Sequence, residues 1–130
     1  MDIVLWIVQG LLAVLFLLTG GMKVVKSKDE LKASGGGRMD WVDDLSQGQV
    51  RTIGILEVLA AIGLILPSIT GILPILTPLA AAGLVMTMIG AISLHFRRGD
   101  PKPALVMNGV LMLMAVFVVY GRFIAVSIIA

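Results

Sequence analysis

The stretch that decides the fold is RTIGILEVLAAIGLILP, residues 51–67. It is long and apolar enough to take part in a bilayer-spanning helix, yet it carries a carboxylate at Glu57. In a helix, Glu57 lies about 9 Å deeper than Arg51, which places it within the hydrocarbon. A charged acid at that depth costs about 2.5 to 3.5 kcal/mol on insertion scales, so it normally faces protein or a wet cavity and has a partner.

The helical face that carries Glu57 is rich in small residues. Its other members are Gly54, Ala60, Ala61 and Leu64. Small residues let a second helix approach closely, so we expect Glu57 to point into a bundle. Arg51 lies about 120° around the helix from Glu57 and is not a suitable partner within it. The partner is therefore expected from another helix, and the candidates are Lys23, His95 and Gln9.

Composition indicates an integral membrane protein of one domain. The chain has 130 residues, of which 58% are hydrophobic and 14% charged, whereas soluble domains are about 25% charged. Its net charge of +2 is too small to indicate a nucleic-acid partner. The absence of cysteine excludes thiol redox chemistry and iron–sulfur clusters from this chain, and with a single histidine we expect no zinc site and no two-histidine haem site within it. We assign no metal site and no catalytic residue.

Four apolar segments predict an all-α bundle of four transmembrane helices, over about 3–23, 48–67, 75–95 and 104–129, in a single transmembrane domain, 1–130. We interpret the first as a retained helix, since Asp2 is the only charge before its apolar run and a signal peptide needs a basic start. The second is expected to end at Pro67.

Small or compact residues recur every four positions in the third segment, at Gly83, Thr87 and Ala91. This spacing is typical of helices that pack closely. We therefore expect helices two and three to form a tight hairpin, with Gly54 and Ala61 against this stripe. Met88 is then expected to face lipid.

A polar segment, 23–49, connects the first two helices. Ser27 with Glu30, and Ser46 with Gln49, predict capping boxes for a short helix that ends at the glycines 35–37 and for the second spanning helix. Four apolar residues lie between the glycines and the second box, and they either rest on lipid headgroups or belong to a solvated loop with one tryptophan anchor. They are Met39, Trp41, Val42 and Leu45.

The basic residues are distributed very unevenly. Nine of the ten lysines and arginines lie on or beside the connections after helices one and three, and only Arg122 lies toward the other side. The positive-inside rule then predicts that both termini are outside and that the polar segment is cytoplasmic.

Three residues are candidates for a polar site near the outer face: Arg122, Tyr120 and Asn108. Arg122 is expected to balance Asp2 or to bind a lipid phosphate. Asn108 and Gln9 are expected to form hydrogen bonds between helices. On the cytoplasmic side, the candidates for a ligand or proton site are Glu57, His95, Lys23, Arg51 and Gln9. For Lys23 and Arg51 the alternative is a snorkelling anchor, and for His95 an interfacial residue.

Several motifs in this order and spacing resemble the DoxX-like family of small four-helix membrane proteins. They are TGGMK at 19–23, GxxEVLAAIGLILP at 54–67, LTPLAAAG at 76–83, HxRRG at 95–99 and YGRF at 120–123. The resemblance runs nearly end to end. It implies a cell-membrane protein of a bacterium or archaeon, and an accessory component of a redox system related to thiosulfate:quinone oxidoreduction.

Three hypotheses for function follow. In the first, the chain is an accessory component of a redox or quinone-linked system, and Glu57 serves a bound quinone or lipid. In the second, it is a structural subunit of a larger membrane complex or a homo-oligomer, and Glu57 forms an interhelical ion pair. The third is a small proton-coupled transporter, similar in size to the small multidrug transporters. We rank it last because those transporters carry their single membrane glutamate in the first helix, whereas here Glu57 lies in the second. No independent catalytic activity is expected.

Overall fold

The computed structural model describes residues 1–35 and 39–125, and all secondary structure within those ranges is helical. Its α-helices are α1 (Asp2–Val25), α2 (Lys28–Ser34), α3 (Gln47–Thr70), α4 (Leu76–Arg98) and α5 (Lys102–Tyr120), with a 3₁₀ turn at Asp40–Asp44 and a π turn at Gly121–Ala125. Four of the helices, α1, α3, α4 and α5 extended by the π turn, are long and apolar enough to cross a membrane. The predicted all-α, four-helix membrane bundle is confirmed.

The spanning helices alternate in direction, so the bundle has two distinct ends. The charged end carries α2, the 3₁₀ turn and the connection from α4 to α5. The terminal end carries the start of α1, the connection from α3 to α4, and the π turn. Arg98, the last residue of α4, and Asp44, in the 3₁₀ turn, form an ion pair at 2.5 Å and so join the two charged connections.

The core is an apolar cluster contributed by all four spanning helices. Its buried members are Leu12, Ala13, Phe16, Ala61, Leu64, Ala81, Leu84, Met88, Ala115 and Val118. Met88 is 5% exposed, so the prediction that it faces lipid is wrong. The buried face of α4 contains Ala81, Leu84 and Met88, and it is offset around the helix from the stripe that begins at Gly83.

Helix α1 packs most extensively against α3. The two backbones meet at Gly20 and Gly54, where a Cβ on Gly54 would lie 2.7 Å from the carbonyl oxygen of Gly20. The expectation that Gly54 packs in the hairpin of α3 and α4 is therefore wrong. Gly54 shares the face of Glu57, and that face is turned toward α1.

Helices α3 and α4 approach each other at different residues from those expected. A Cβ on Gly63 would lie 2.9 Å from that of Ala80, whereas one on Gly83 would have nothing within 4 Å. Gly83 and Thr87 instead line an open groove between the two helices with a volume of about 390 Å³. The predicted packing is wrong for Gly83 and Thr87, because α4 turns a neighbouring face toward the core. Ala61 is nevertheless buried in the core, and Ala91 packs against it.

Pro67 lies inside α3 and does not end it, contrary to the prediction. Proline has no N–H, so the carbonyl of Gly63 loses its partner within the helix. The hydroxyl of Thr77 in α4 donates to that carbonyl at 2.9 Å and lies 2.7 Å from the hydroxyl of Ser68. The neighbouring helix thus replaces the missing donor, and α3 continues to Thr70.

The polar segment folds onto the charged end of the bundle. Both predicted capping boxes form, and α2 ends at Ser34 with Gly35 as its cap. Glycines 36 and 37, at which the helix was also expected to stop, lie outside the described residues. The segment has its own small core, formed by Leu31, Val42 and Val50 with Met39, Trp41 and Leu45 packed against it. These apolar residues pack mainly on protein, and the two predicted alternatives had considered only headgroups or solvent.

Candidate functional site

Glu57 lies between α1 and α3 near the charged end, and its side chain is 2% exposed. Lys23 Nζ donates to its Oε1 at 2.5 Å, and the hydroxyl of Thr19 donates to its Oε2 at 3.1 Å. Both carboxylate oxygens therefore have a partner from α1. A charge-assisted hydrogen bond of this length is among the strongest contacts available to a buried carboxylate.

The lysine of this pair also contacts the polar segment. Its Nζ lies 5.6 Å from the centroid of the Trp41 ring, within reach of a cation–π interaction. The Lys23 side chain is 12% exposed, so it closes the site from the charged end. Lys23 thereby connects the carboxylate within the membrane to the folded surface segment.

Two glycines make this geometry possible. A Cβ on Gly20 would lie 2.9 Å from the Cβ of Glu57, and a Cβ on Gly54 would lie 2.7 Å from that of Lys23. Both distances are too short for larger residues without a shift of the helices. Close approach of α1 and α3 is therefore required to bring the ammonium and the carboxylate together.

The remaining candidates for this site lie elsewhere. Arg51 donates to the carbonyl of Val24 at 3.3 Å and so caps the end of α1. His95 lies at the end of α4, and Gln9 lies in the terminal half of α1. Of the candidates, the structure thus brings Lys23 alone to Glu57.

His95 belongs to a separate polar cluster at the charged end. Its Nδ1 lies 2.6 Å from Oδ2 of Asp100, and Arg98 bonds both Asp100 and Asp44. The hydrogen bond from His95 lowers the pKa of Asp100 below its usual range; partial burial opposes this shift and Arg98 adds to it. The cluster joins the end of α4 to the following loop and to the 3₁₀ turn.

Gln9 and Arg122 meet at the terminal end. Arg122 is 1% exposed and donates from Nε to Gln9 at 2.5 Å and from Nη1 to Asp2 at 2.6 Å. Gln9 in turn donates to the carbonyl of Leu64 at 2.6 Å. This network connects α5, α1 and α3, as expected for Gln9 as an interhelical residue.

The other two outer-face candidates do not join that network. Asn108 lies in the second turn of α5, toward the charged end, so the prediction that it shares a face of the membrane with Arg122 and Tyr120 is wrong. It donates to the carbonyl of Ala104 in its own helix at 2.8 Å, and among the described residues it does not form the expected interhelical bond. Tyr120 is 51% exposed and points away from the core. Gly121 and Arg122, the next two residues along the chain, are buried.

Two site residues were missed by reasoning from the sequence. Thr19 lies one turn before Lys23 on α1 and so shares its face, a spacing that was available as a signal. Trp41 carried no comparable signal, because its position over Lys23 depends on how the polar segment folds back. Within the described part of the chain, the histidine and acidic side chains form no group of three or more placed to hold a metal ion.

The fold and these contacts define a small integral membrane protein of four spanning helices, with an ion pair between the first two and a buried arginine at the opposite end. The chain belongs to the DoxX-like family, whose model matches residues 7–118. No curated protein and no solved structure matched it.

Proposed function

We propose that this protein is an accessory membrane component of a redox or quinone-linked system, and that it contributes a stable helical scaffold and not a catalytic centre. The redox assignment rests on membership of the DoxX-like family, whose resemblance to this chain implies such a role. The scaffold assignment rests on a single observation, that both carboxylate oxygens of Glu57 accept a hydrogen bond from α1.

A carboxylate that serves a ligand needs a free oxygen or an open cavity beside it. Both oxygens of Glu57 are bonded to α1, and the groove between α3 and α4 is lined by other residues. Removing one partner of a buried pair leaves the other charge uncompensated and is strongly destabilising, so this pair favours the arrangement of α1 and α3 that brings Lys23 to Glu57. The pair therefore supports a structural role for Glu57 within the bundle.

A bound quinone or lipid is a second candidate, and the groove between α3 and α4 favours it over the surroundings of Glu57. The groove is lined by leucines and by small residues, including Ala60, Gly63, Ala80 and Gly83. Its hydroxyl, on Thr87, already donates to the carbonyl of Gly83 at 2.9 Å. The lining suits an acyl or isoprenoid chain better than a polar quinone ring.

Proton-coupled transport receives little support from the polar groups. Gln9 and Thr19 are ten residues apart on α1, about 15 Å along the helix. Leu12 and Phe16 lie between them, fully or nearly fully buried in the apolar core. The described residues thus provide no row of polar side chains joining the two ends.

The experiment is isolation of the tagged protein from its native membranes in a mild detergent. We expect a membrane oxidoreductase to be isolated with it, and the purified protein alone to show no quinone reductase activity. Mass spectrometry of retained lipids and quinones tests the groove, and Gly83→Leu, which fills the groove, is the matched variant. Isolation of the protein without any redox partner, or quinone reduction by the purified protein alone, would contradict the proposal.

A further inference from the structure

The first turn of α1 is uncapped. The helix begins at Asp2, and within the described residues no side chain caps its first amides. Those amides have no acceptor within the helix and carry a partial positive charge at the amino end of a helix of 24 residues. Ile3 and Val4 in this turn are 74% and 50% exposed, so the turn is open at its surface.

A buried guanidinium lies against this turn. Arg122 contacts it through the 2.6 Å bond from Nη1 to Asp2. Its Nη2 is buried and has no hydrogen-bond partner among the described residues. Buried donors are nearly always paired in folded proteins, and a charged donor without a partner is particularly unfavourable.

The guanidinium is held in place by its surroundings. Gln9, itself fixed on the carbonyl of Leu64, accepts from Nε, and the Trp6 ring lies 5.2 Å from the guanidinium carbon. Gly121 allows the π turn to lie directly on Leu5, whose side chain would have to shift to admit a Cβ at position 121. A donor that is already oriented loses little freedom when it binds a ligand.

We propose that Arg122 and the first turn of α1 form a binding site for a phosphate oxyanion, carried by a lipid headgroup or free in solution. Asp2 holds Nη1 by a single bond, and its side chain is 55% exposed, so it can rotate into solvent. The phosphate takes its place, with one oxygen on Nη1 and a second on Nη2. Bidentate pairing of this kind is the geometry in which arginine binds phosphate best.

This arrangement makes Asp2 a competitor of the ligand. Asp2→Asn weakens the bond to Nη1 and removes the negative charge that repels the ligand, so this variant is expected to bind phosphate more tightly. A purely structural ion pair behaves differently, since its loss lowers stability without creating affinity. Arg122→Lys retains the positive charge but loses the paired N–H donors of the guanidinium that bind two phosphate oxygens. About tenfold weaker phosphate binding is therefore expected.

The test uses the fluorescence of Trp6 in a Trp41→Phe background, which leaves Trp6 as the remaining one of the chain's two tryptophans. The protein, in a phosphate-free detergent, is titrated with inorganic phosphate in one arm and with short-chain phosphatidylglycerol in the other. A saturable change is expected in at least one arm, and the responding arm identifies the source. Arg97→Lys, at the exposed charged end, is the control and is expected to leave the titration unchanged.

Circular dichroism establishes that each variant is folded. If Arg122→Lys does not fold, the test rests on Asp2→Asn, because tighter phosphate binding by that variant supports the proposed site. The proposal is overturned if Trp6 responds to neither probe, if Asp2→Asn binds no more tightly than the parent, or if folded Arg122→Lys binds equally well.

Discussion

Replacing Glu57 with glutamine keeps the shape of the side chain and removes its charge. The amide oxygen can still accept from Thr19, but Lys23 is left with an ammonium at a site where the carboxylate is 2% exposed. Breaking a buried ion pair by neutralising one partner costs about 3 to 5 kcal/mol. The Lys23 side chain is 12% exposed and can extend toward the charged end of the bundle. We therefore expect the free energy of unfolding to fall by about 3 kcal/mol, the smaller value of that range.

The assay is unfolding in detergent micelles, followed by circular dichroism as the fraction of denaturing detergent is raised. Glu57→Gln is expected to unfold at a lower fraction than the parent protein. The matched control is Asp43→Asn, which breaks the surface ion pair of Asp43 with Lys32 at 2.6 Å. Little change is expected there, since both side chains are about half exposed and solvent screens their attraction.

A double-mutant cycle with Lys23→Met separates the ion pair from other effects of the substitution. If the pair stabilises the bundle, the double variant is less destabilised than the sum of the two single variants, since it leaves no charge unpaired. Additive effects, or a Glu57→Gln variant as stable as the parent, would refute the scaffold assignment. A folded variant that loses only a retained ligand would identify Glu57 as a binding site instead.

Three further predictions concern packing, pH and orientation. Gly54→Ala is expected to lower the melting temperature in detergent, because its Cβ would lie 2.7 Å from backbone and side-chain atoms of α1. Gly83→Ala is the control and is expected to be tolerated, because position 83 faces open space. Equal changes in melting temperature for the two variants would contradict the packing of α1 on α3. His95 lowers the pKa of Asp100, so the stability from Asp100 is present above its unfolded-state pKa and is lost as pH falls through the lower folded-state value. Thermal unfolding across acidic pH is therefore expected to show less acid sensitivity in Asp100→Asn than in the parent. The uneven distribution of basic residues predicts that a reporter fused to the carboxyl end is active outside the cytoplasm, and activity confined to the cytoplasm would reverse the orientation.

Local patterns in the sequence were sufficient for the helices and their caps. Apolar runs longer than a bilayer is thick predicted the four spans, and Ser27 and Ser46 marked two helix starts through bonds that involve neighbouring residues only. Helical period also placed Glu57 on one face with Gly54 and Ala61, and all three are buried. These features depend on residues within a few positions of each other, so no knowledge of the fold was needed.

The choice of partner for each face was decided by the tertiary structure. Lys23, His95 and Gln9 were all polar residues on other helices, and the sequence alone left all three open as partners for Glu57. Only the contact of Gly20 with Gly54 places α1 beside that carboxylate. A stripe of small residues permits the close approach of another helix but does not determine which helix it is. For this reason Gly54 packs against α1, whereas Gly83 lies in an open groove. Periodicity determines which residues share a face, whereas the neighbour of that face depends on how all four helices fill the core together.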